Sequence, residues 1–336
     1  MMKTLKNTFT QFRCAALLLL AGVIVGCEQK TTVEYVPTAE ELRVMSSQRI
    51  DSAAVRVLTA DSTMMAMLHD GDSVAVTELL GSLSAEAWIL VEDSTGLLIT
   101  SKNADKRMAP ASLTKMMTCM LALENGVMGD TIEITKDVFL SKDSRVKLGD
   151  RYLLGDIISE MMLQSDNDAA NAIAKHIGGE IEDFYKLMNE KAAYLGMDST
   201  HFSNPNGLTA DSTFSTAHDL LLLARYCMRD SAFAATAGTA FRDIPLLDGR
   251  HLPCENSNLL LGPRIENGMP DMGISPYEGC IGVKTGYTRQ AGGCLASAAR
   301  RNGITLFLIL LNSKSHASRF NESVILLDYG FTLLRK

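Results

Sequence analysis

The chain has 336 residues, 46% hydrophobic and 21% charged, which is an ordinary globular composition with room for a sizeable core. That excludes an intrinsically disordered, collagen-like or polytopic membrane protein. Formal charge is −7, and residues 1–26 hold Lys3, Lys6 and Arg13 but no acid, so the remainder carries −10 and makes a poor nucleic-acid binder. Aromatics are 6% and no Cys/His cluster shows zinc spacing, so neither metal nor other cofactor is expected.

Residues 1–13 form a basic leader and Ala15–Val25 a short apolar run. The run is too short to span a bilayer comfortably, so residues 1–26 read as a signal peptide. It ends Ile24-Val25-Gly26-Cys27, which resembles the lipobox of bacterial lipoproteins, where the cysteine is diacylated and becomes the first mature residue. Lipid at Cys27 would tether an exported body to the cell envelope, facing the periplasm. The plain alternative is an ordinary secretory signal that happens to contain a cysteine. Beyond it lie Cys119, Cys227, Cys254, Cys280 and Cys294, an odd number whose pairing cannot be deduced. On its apolar helix, Cys119 reads as core.

Residues 27–83 read as a tether or spacer with some helix. Glu28–Pro37 is polar, Thr38-Ala-Glu-Glu41 is a capping box opening a helix over 39–58, and Asp70-Gly71-Asp72 is a turn signal. From residue 84 to 336 the patterning sharpens into that of one domain. Ala87–Val91 and Leu97–Ser101 flank Glu92-Asp-Ser-Thr-Gly96 as a hairpin. A helix is predicted over Ser112–Glu124, ending at Gly126 as a C′ glycine. Asp156–Leu163 and Asp168–Ile177 are short helices, the second closed by Gly178-Gly179, and Thr216 with Asp219 caps another running to Met228. Gly279–Gly286, Gly292–Ala299 and Thr305–Leu311 read as strands, with Asn302-Gly303 a strong hairpin signal. Ala317–Leu333 is a final amphipathic helix. Strands at both ends with helices between imply an α/β layer fold in which chain-terminal strands share one antiparallel sheet.

Three short motifs carry chemistry. In Ser112-Leu-Thr-Lys115, positions i and i+3 share a helix face, so a Lys with a lowered pKa can take the Ser proton. The helix N-terminus adds N–H groups aimed at developing negative charge. The pattern recurs at Ser144-Arg-Val-Lys147, which is rejected because its segment is charged and lacks apolar periodicity; Ser112 opens onto Met116, Met117, Met120 and Leu121. Ser165-Asp166-Asn167 lies between two helices, where a hydroxyl could relay a proton and an amide could hold a substrate amide; Ser165 and Asn167 could equally be helix caps. Lys284-Thr285-Gly286 lies on a predicted strand, where a cation and a hydroxyl beside a glycine suit an anionic, peptide-like ligand. His176, His201 and His218 show no ordered Ser/Asp pattern, and the methionines at 116–120 read as core.

S-x-x-K, S-D-N and K-T-G in this order is the set shared by penicillin-binding proteins and class A β-lactamases. Over residues 84–334 the sequence resembles the low-molecular-mass penicillin-binding proteins that are D-alanyl-D-alanine carboxypeptidases. The resemblance rests on 103–115, 165–170, His201-Phe-Ser-Asn-Pro-Asn-Gly-Leu208, Phe214–Leu220 and Lys284-Thr-Gly-Tyr-Thr288. It implies a β-lactamase/transpeptidase-like α/β (α+β) fold: a five-stranded antiparallel sheet flanked by helices, and a helical lobe holding Ser165 and Asn167. It also implies roles: Ser112 as nucleophile, Lys115 as base, Ser165 as proton shuttle and Asn167 on the substrate amide. Lys284, Thr285 and Arg319 would bind a terminal carboxylate beside Gly286, with the Ser112 and Tyr287 N–H groups as oxyanion hole. The implied substrate is a peptidoglycan stem peptide, with β-lactams as covalent inhibitors.

Asp166 departs from the Gly or Ala common in that family and could alter hydrogen bonding in the pocket. The chain stops soon after its terminal helix, without the β-rich second domain and C-terminal membrane helix of many relatives; an N-terminal lipid would replace that anchor. A class A-like β-lactamase should carry a Glu some tens of residues beyond S-D-N, yet none lies between Glu190 and Glu255. Endopeptidase action on cross-links is chemically the same. A non-catalytic, peptidoglycan-binding envelope lipoprotein is the alternative of another class, disfavoured by the paired Ser112 and Lys115.

Overall fold

The computed structural model describes residues 72–140, 144–262 and 273–334. Cys27, the leader and the helix expected over 39–58 lie outside them, and so does the turn at Asp70-Gly71. Asp72 opens helix α1 (Asp72–Ser82), which leads into the expected hairpin of β1 (Ala87–Glu92) and β2 (Leu98–Lys102). The Glu92 carboxylate holds that turn by accepting from the N–H and hydroxyl groups of Ser94 and Thr95. Next come α2 (Lys115–Asn125), the ribbon β3 (Thr131–Glu133) with β4 (Arg151–Leu153), and helices α3 (Leu154–Gln164), α4 (Asn167–Gly178) and α5 (Ile181–Tyr194). Helix α6 (Ala217–Cys227) starts at Thr216, whose hydroxyl accepts from the Asp219 N–H at 3.0 Å, as its sequence predicts. After α7 (Ser231–Ala237) a second ribbon forms from β5 (Phe241–Pro245) and β6 (His251–Glu255). The chain closes on β7 (Cys280–Thr288), β8 (Gly292–Arg301), β9 (Ile304–Ser313) and α8 (Ser318–Leu334).

The five-stranded antiparallel sheet runs β2-β1-β9-β8-β7, so β1 pairs with β9 across the chain, from Ala87↔Leu311 to Glu92↔Leu306. Asn302 and Gly303, at φ +50° and +82°, make the two-residue turn between β8 and β9. Strand periodicity divides the core. Ile89, Val91, Phe307 and Ile309 lie in the core shared with the helical layer, where α6 packs on β1 and β9, whereas Trp88, Leu90, Leu308 and Leu310 face α8. Met116, Met117 and Met120 are buried in the first of these cores. Among the described residues no helix is long and apolar enough to cross a membrane, and the five cysteines form no disulfide.

Two local expectations are corrected. Residues 112–124 are not one helix: Ala111–Thr114 is a 3-10 turn, entered through Ala111 at φ +48°, and the α-helix begins at Lys115. Gly126 is extended (φ −100°) rather than left-handed, so conformational freedom is not why it is glycine. A Cβ there would lie 2.3 Å from Leu154 Cδ2 and 2.9 Å from Ile177 Cδ1, so close packing against α3 and α4 demands the missing side chain.

Glu322 on α8 closes the sheet's far face. Its carboxylate accepts from the N–H groups of Ser84 (2.8 Å) and Ala85 (3.2 Å) and from the Ser84 hydroxyl, tying the last helix to the entrance of β1. Removing a buried acceptor strands its donors. Glu322→Ala is therefore expected to cost about 2–3 kcal/mol in urea denaturation, with Glu322→Gln intermediate. An unchanged midpoint in Glu322→Ala would show that the tie contributes nothing.

Candidate active site

The 3-10 turn brings the first motif together. Side chains at i and i+3 eclipse in a 3-10 turn, and Lys115 Nζ lies 3.0 Å from Ser112 Oγ. Two other segments meet the same amine: Asn167 Oδ1 at 2.8 Å and the Asn206 carbonyl at 2.5 Å. Lys115 is 0% exposed and no carboxylate hydrogen-bonds to it. Burial lowers its pKa to about 7, against the opposing pull of Asp166 and Glu160.

The turn is gripped from both sides by glycines. Gly207, at φ +81°, lies so close that a Cβ would stand 1.9 Å from the Ala111 carbonyl oxygen. A Cβ on Gly286 of β7 would stand 3.1 Å from the Ser112 nitrogen, so edge strand and turn are in contact. The loop bearing Asn206 is fixed by its own amides: Gly207 N–H donates to Asn204 Oδ1 (2.7 Å), Leu208 N–H to Asn206 Oδ1 (2.8 Å), and Thr118 Oγ1 to the Pro205 carbonyl (2.6 Å).

The second motif splits its work. Ser165 ends α3 in the left-handed region (φ 66°) and lines the cleft with Asn167. Asp166, not Ser165 or Asn167, caps α4, accepting from the Asp168 (2.8 Å) and Ala169 (3.0 Å) N–H groups. Its second oxygen accepts from the Ser144 hydroxyl and the Arg145 N–H. Asp166 thus faces away from the cleft lining, which corrects the expectation that it changes the pocket's hydrogen bonding. The Ser144/Lys147 pair is structural: Ser144 serves that cap and Lys147 Nζ donates to the Ser144 carbonyl.

From the sheet side come Lys284 (1% exposed), Thr285 and Arg319 (6% exposed). Burial, the Lys115 charge and the Arg319 charge depress the Lys284 pKa well below the usual lysine range. Arg319 donates from Nη1 to the Gly286 carbonyl at 2.7 Å, and burial lowers its pKa to about 10. The Thr285 hydroxyl lies 2.6 Å from that of Ser257. Ser112, Ser165, Asn167, Thr285, Tyr287 and Arg319 line one cavity of about 300 Å³, and none of its lining residues is acidic. Among the described residues no group of three His, Cys, Asp or Glu side chains could hold a metal ion.

Sequence reasoning missed four contributors. Ser257 precedes no motif, and Asn206 acts through its backbone. His316 stacks on Tyr287 (centroids 3.9 Å apart) at the cleft and lies outside the quoted motifs. Glu160 is 0% exposed with neither carboxylate oxygen hydrogen-bonded; an acid inside an apolar helix run was its only signal. The other described histidines are elsewhere: His176 on Asp130, His201 on the Ser212 carbonyl, His218 on Asp105 and His251 on Asp243.

A family profile described as D-alanyl-D-alanine carboxypeptidase (peptidase S11) matches residues 72–315. The chain is 30% identical over 255 residues to D-alanyl-D-alanine carboxypeptidase DacF of Bacillus subtilis and 32% identical over 264 residues to DacC of Escherichia coli. Each match covers 74% of this chain and 62% of the relative, so it spans less than two thirds of those proteins. The D-alanyl-D-alanine carboxypeptidase of Streptomyces sp. strain K15 is 29% identical over 309 residues, covering 85% of this chain and 100% of that one. The crystal structure of the Streptomyces K15 DD-transpeptidase superposes with a TM-score of 0.67 at 28% identity, covering 75% of this chain and 98% of that one. Fold, cleft and sequence agree, and the chain belongs to the D-alanyl-D-alanine carboxypeptidase family of S11 peptidases.

Proposed function

We propose that this chain is a serine-type D-alanyl-D-alanine carboxypeptidase that trims the terminal D-alanine from peptidoglycan stem peptides. The convergence of Ser112, Asn167 and the Asn206 carbonyl on the buried Lys115 amine carries the reading. A neutral amine has two N–H donors and one lone pair. With the donors engaged by Asn167 and Asn206, the lone pair is left for the Ser112 hydroxyl proton.

Ser112 Oγ attacks the carbonyl between the two terminal D-alanines as Lys115 takes its proton. Charge developing on the carbonyl oxygen is held by the Ser112 and Tyr287 N–H groups, the first of which lies against Gly286. Ser165 passes a proton to the leaving D-alanine amine, and Asn167 holds the peptide amide. Lys284, Thr285 and Arg319 bind the terminal carboxylate, an anion that meets Arg319 in the cavity lining with Lys284 buried behind it. Water then hydrolyses the acyl-enzyme. β-Lactams acylate the same oxygen, and a cleft with no acidic lining side chain supports slow release over β-lactamase turnover. The domain begins near residue 84 behind a spacer, and lipid on Cys27 holds it at the cell envelope outside the cytoplasm.

Intact-mass measurement after benzylpenicillin treatment should show one adduct on the wild type and none on Ser112→Ala; an adduct retained by Ser112→Ala overturns the assignment. The acylation rate should climb as pH rises through about 7, because only deprotonated Lys115 can accept a proton, and level off above. Lys115→Arg keeps the cation but not the base and should lower that rate by about 10²–10⁴-fold.

Glu160 makes a separate test. Burial, with Asp166 adding to it, holds its carboxyl well above the ordinary range. The folded chain then keeps a proton that the unfolded chain releases, so stability falls as pH rises above the usual carboxylate pKa toward the raised one. Glu160→Gln should flatten that slope in urea titrations run upward from pH 5. Parallel slopes in the two proteins would show that folded Glu160 is ionised. For the anchor, Cys27→Ser expressed in bacteria should lose radiolabelled palmitate and leave the membrane fraction; retained label would place the lipid elsewhere.

A further inference from the structure

At the other end of β7 from Thr288 lies a second cavity, of about 440 Å³, between the sheet and the α6–α7 corner. It shares no lining residue with the cleft of Ser112. Cys280 and Ile281 border it, three to four residues along β7 from Lys284, or roughly 10–13 Å at strand spacing. Its walls are apolar in part, from Met228, Ile281 and Phe307. Three guanidinium groups stand around it, those of Arg225, Arg229 and Arg300, against the single carboxylate of Asp93.

The three arginines are not equivalent. Arg225 donates from Nε to Asp93 Oδ1 (2.8 Å) and from Nη2 to the Asp93 carbonyl (2.7 Å), which fixes it at the rim with 21% of its side chain exposed. Arg300 commits only Nε, to the Thr305 hydroxyl at 3.0 Å. Arg229 has no side-chain hydrogen bond or ion pair among the described residues. The pocket therefore carries about two unbalanced positive charges in a chain whose formal charge is −7. A concave, low-dielectric wall concentrates such a field, and unpaired guanidinium forks match carboxylate and phosphate geometry. A cavity of this volume, part apolar and part cationic, suits a small organic ligand better than a bare ion.

We propose that this cavity is a second binding site, for an amphipathic anion: a small molecule with an apolar body seated on Met228, Ile281 and Phe307 and a carboxylate or phosphate group held by Arg229 and Arg300. The site is independent of the chemistry at Ser112.

Phenyl phosphate, benzoate and neutral phenol are the probes, titrated into isotope-labelled full-length protein and followed by amide chemical shifts. Phenyl phosphate or benzoate should bind saturably, with shifts centred on 228–238, 280–281 and 300–307, and phenol at least tenfold more weakly. The stronger of the two anions tells phosphate from carboxylate recognition. R229Q/R300Q, which alters two exposed side chains, should weaken the preferred anion at least tenfold while leaving benzylpenicillin acylation of Ser112 unchanged. Shifts confined to the Ser112 cleft, shifts scattered over the surface, or equal binding in the double variant would each overturn the proposal.

Discussion

The burial of one lysine amine is the constraint around which this molecule is arranged. An ammonium removed from water costs several kcal/mol unless it is compensated, and Lys115 is 0% exposed with no carboxylate hydrogen-bonded to it. What compensates it is a set of neutral oxygens drawn from three places in the chain: Ser112, Asn167 and the Asn206 carbonyl. Neutral acceptors satisfy donors without repaying the loss of hydration on a full charge, so the proton is loosely held. The helical lobe accordingly looks like a device for bringing α2, the start of α4 and the 204–208 loop to one point. Its side-chain ties, from Thr118 to Pro205 and from Asn206 to Asn171, lie immediately behind that point.

The sheet supplies the opposite wall. β7 is an edge of the sheet, and its Gly286 lets the Ser112 turn lie directly against the strand. The same glycine's carbonyl is held by Arg319 from α8, so the last helix reaches through to the cleft. Pairing of β1 with β9 and the Glu322 tie at Ser84 secure α8 and the sheet as one layer. Lys284 and Arg319 come from this sheet side, and the charges of Lys115 and Arg319 both reach Lys284. Burial depresses the Lys284 pKa, with the charges of Lys115 and Arg319 adding to it, and the repulsive part is relieved when an anion enters. Under the proposed function, that relief would favour a ligand with a carboxylate.

Much of this was legible in the residues themselves. The terminal strands, the Asn302-Gly303 turn, the Thr216 cap and α8 follow from local chemistry: period-two apolar runs, a dipeptide that tolerates positive φ, and a hydroxyl before a helix. The S-x-x-K spacing anticipated the Ser112–Lys115 hydrogen bond because it encodes a contact within one turn. The 3-10 start did not show, because it is imposed by Gly207 and Gly286, about 95 and 174 residues away. Gly126 was misread for a related reason: glycine before a turn suggests conformational freedom, whereas here it answers to Leu154 and Ile177. The ribbons β3–β4 and β5–β6 were missed because three- to five-residue strands with mostly exposed faces carry too little apolar alternation to read. His316 and Ser257 escaped because no local rule places a loop histidine over a tyrosine or pairs two hydroxyls 28 residues apart.

Asp166 shows how a departure within a motif can be absorbed. Where Gly or Ala is common among the proteins this sequence resembles, an aspartate could have thrown a carboxylate into the cleft. Instead one oxygen caps α4 and the other binds the 144–145 segment, so four donors satisfy it and it is 8% exposed. Its charge still reaches Lys115, pulling that pKa upward against burial, and it pushes the neighbouring Glu160 further toward its protonated form. Had Glu160 ionised as well, two carboxylates would hold the Lys115 proton more firmly. The buried, hydrogen-bond-starved setting of Glu160 prevents this by making the neutral acid the cheaper state. Lys115 therefore feels the full pull of Asp166, and that of Glu160 only to the extent that Glu160 gives up its proton.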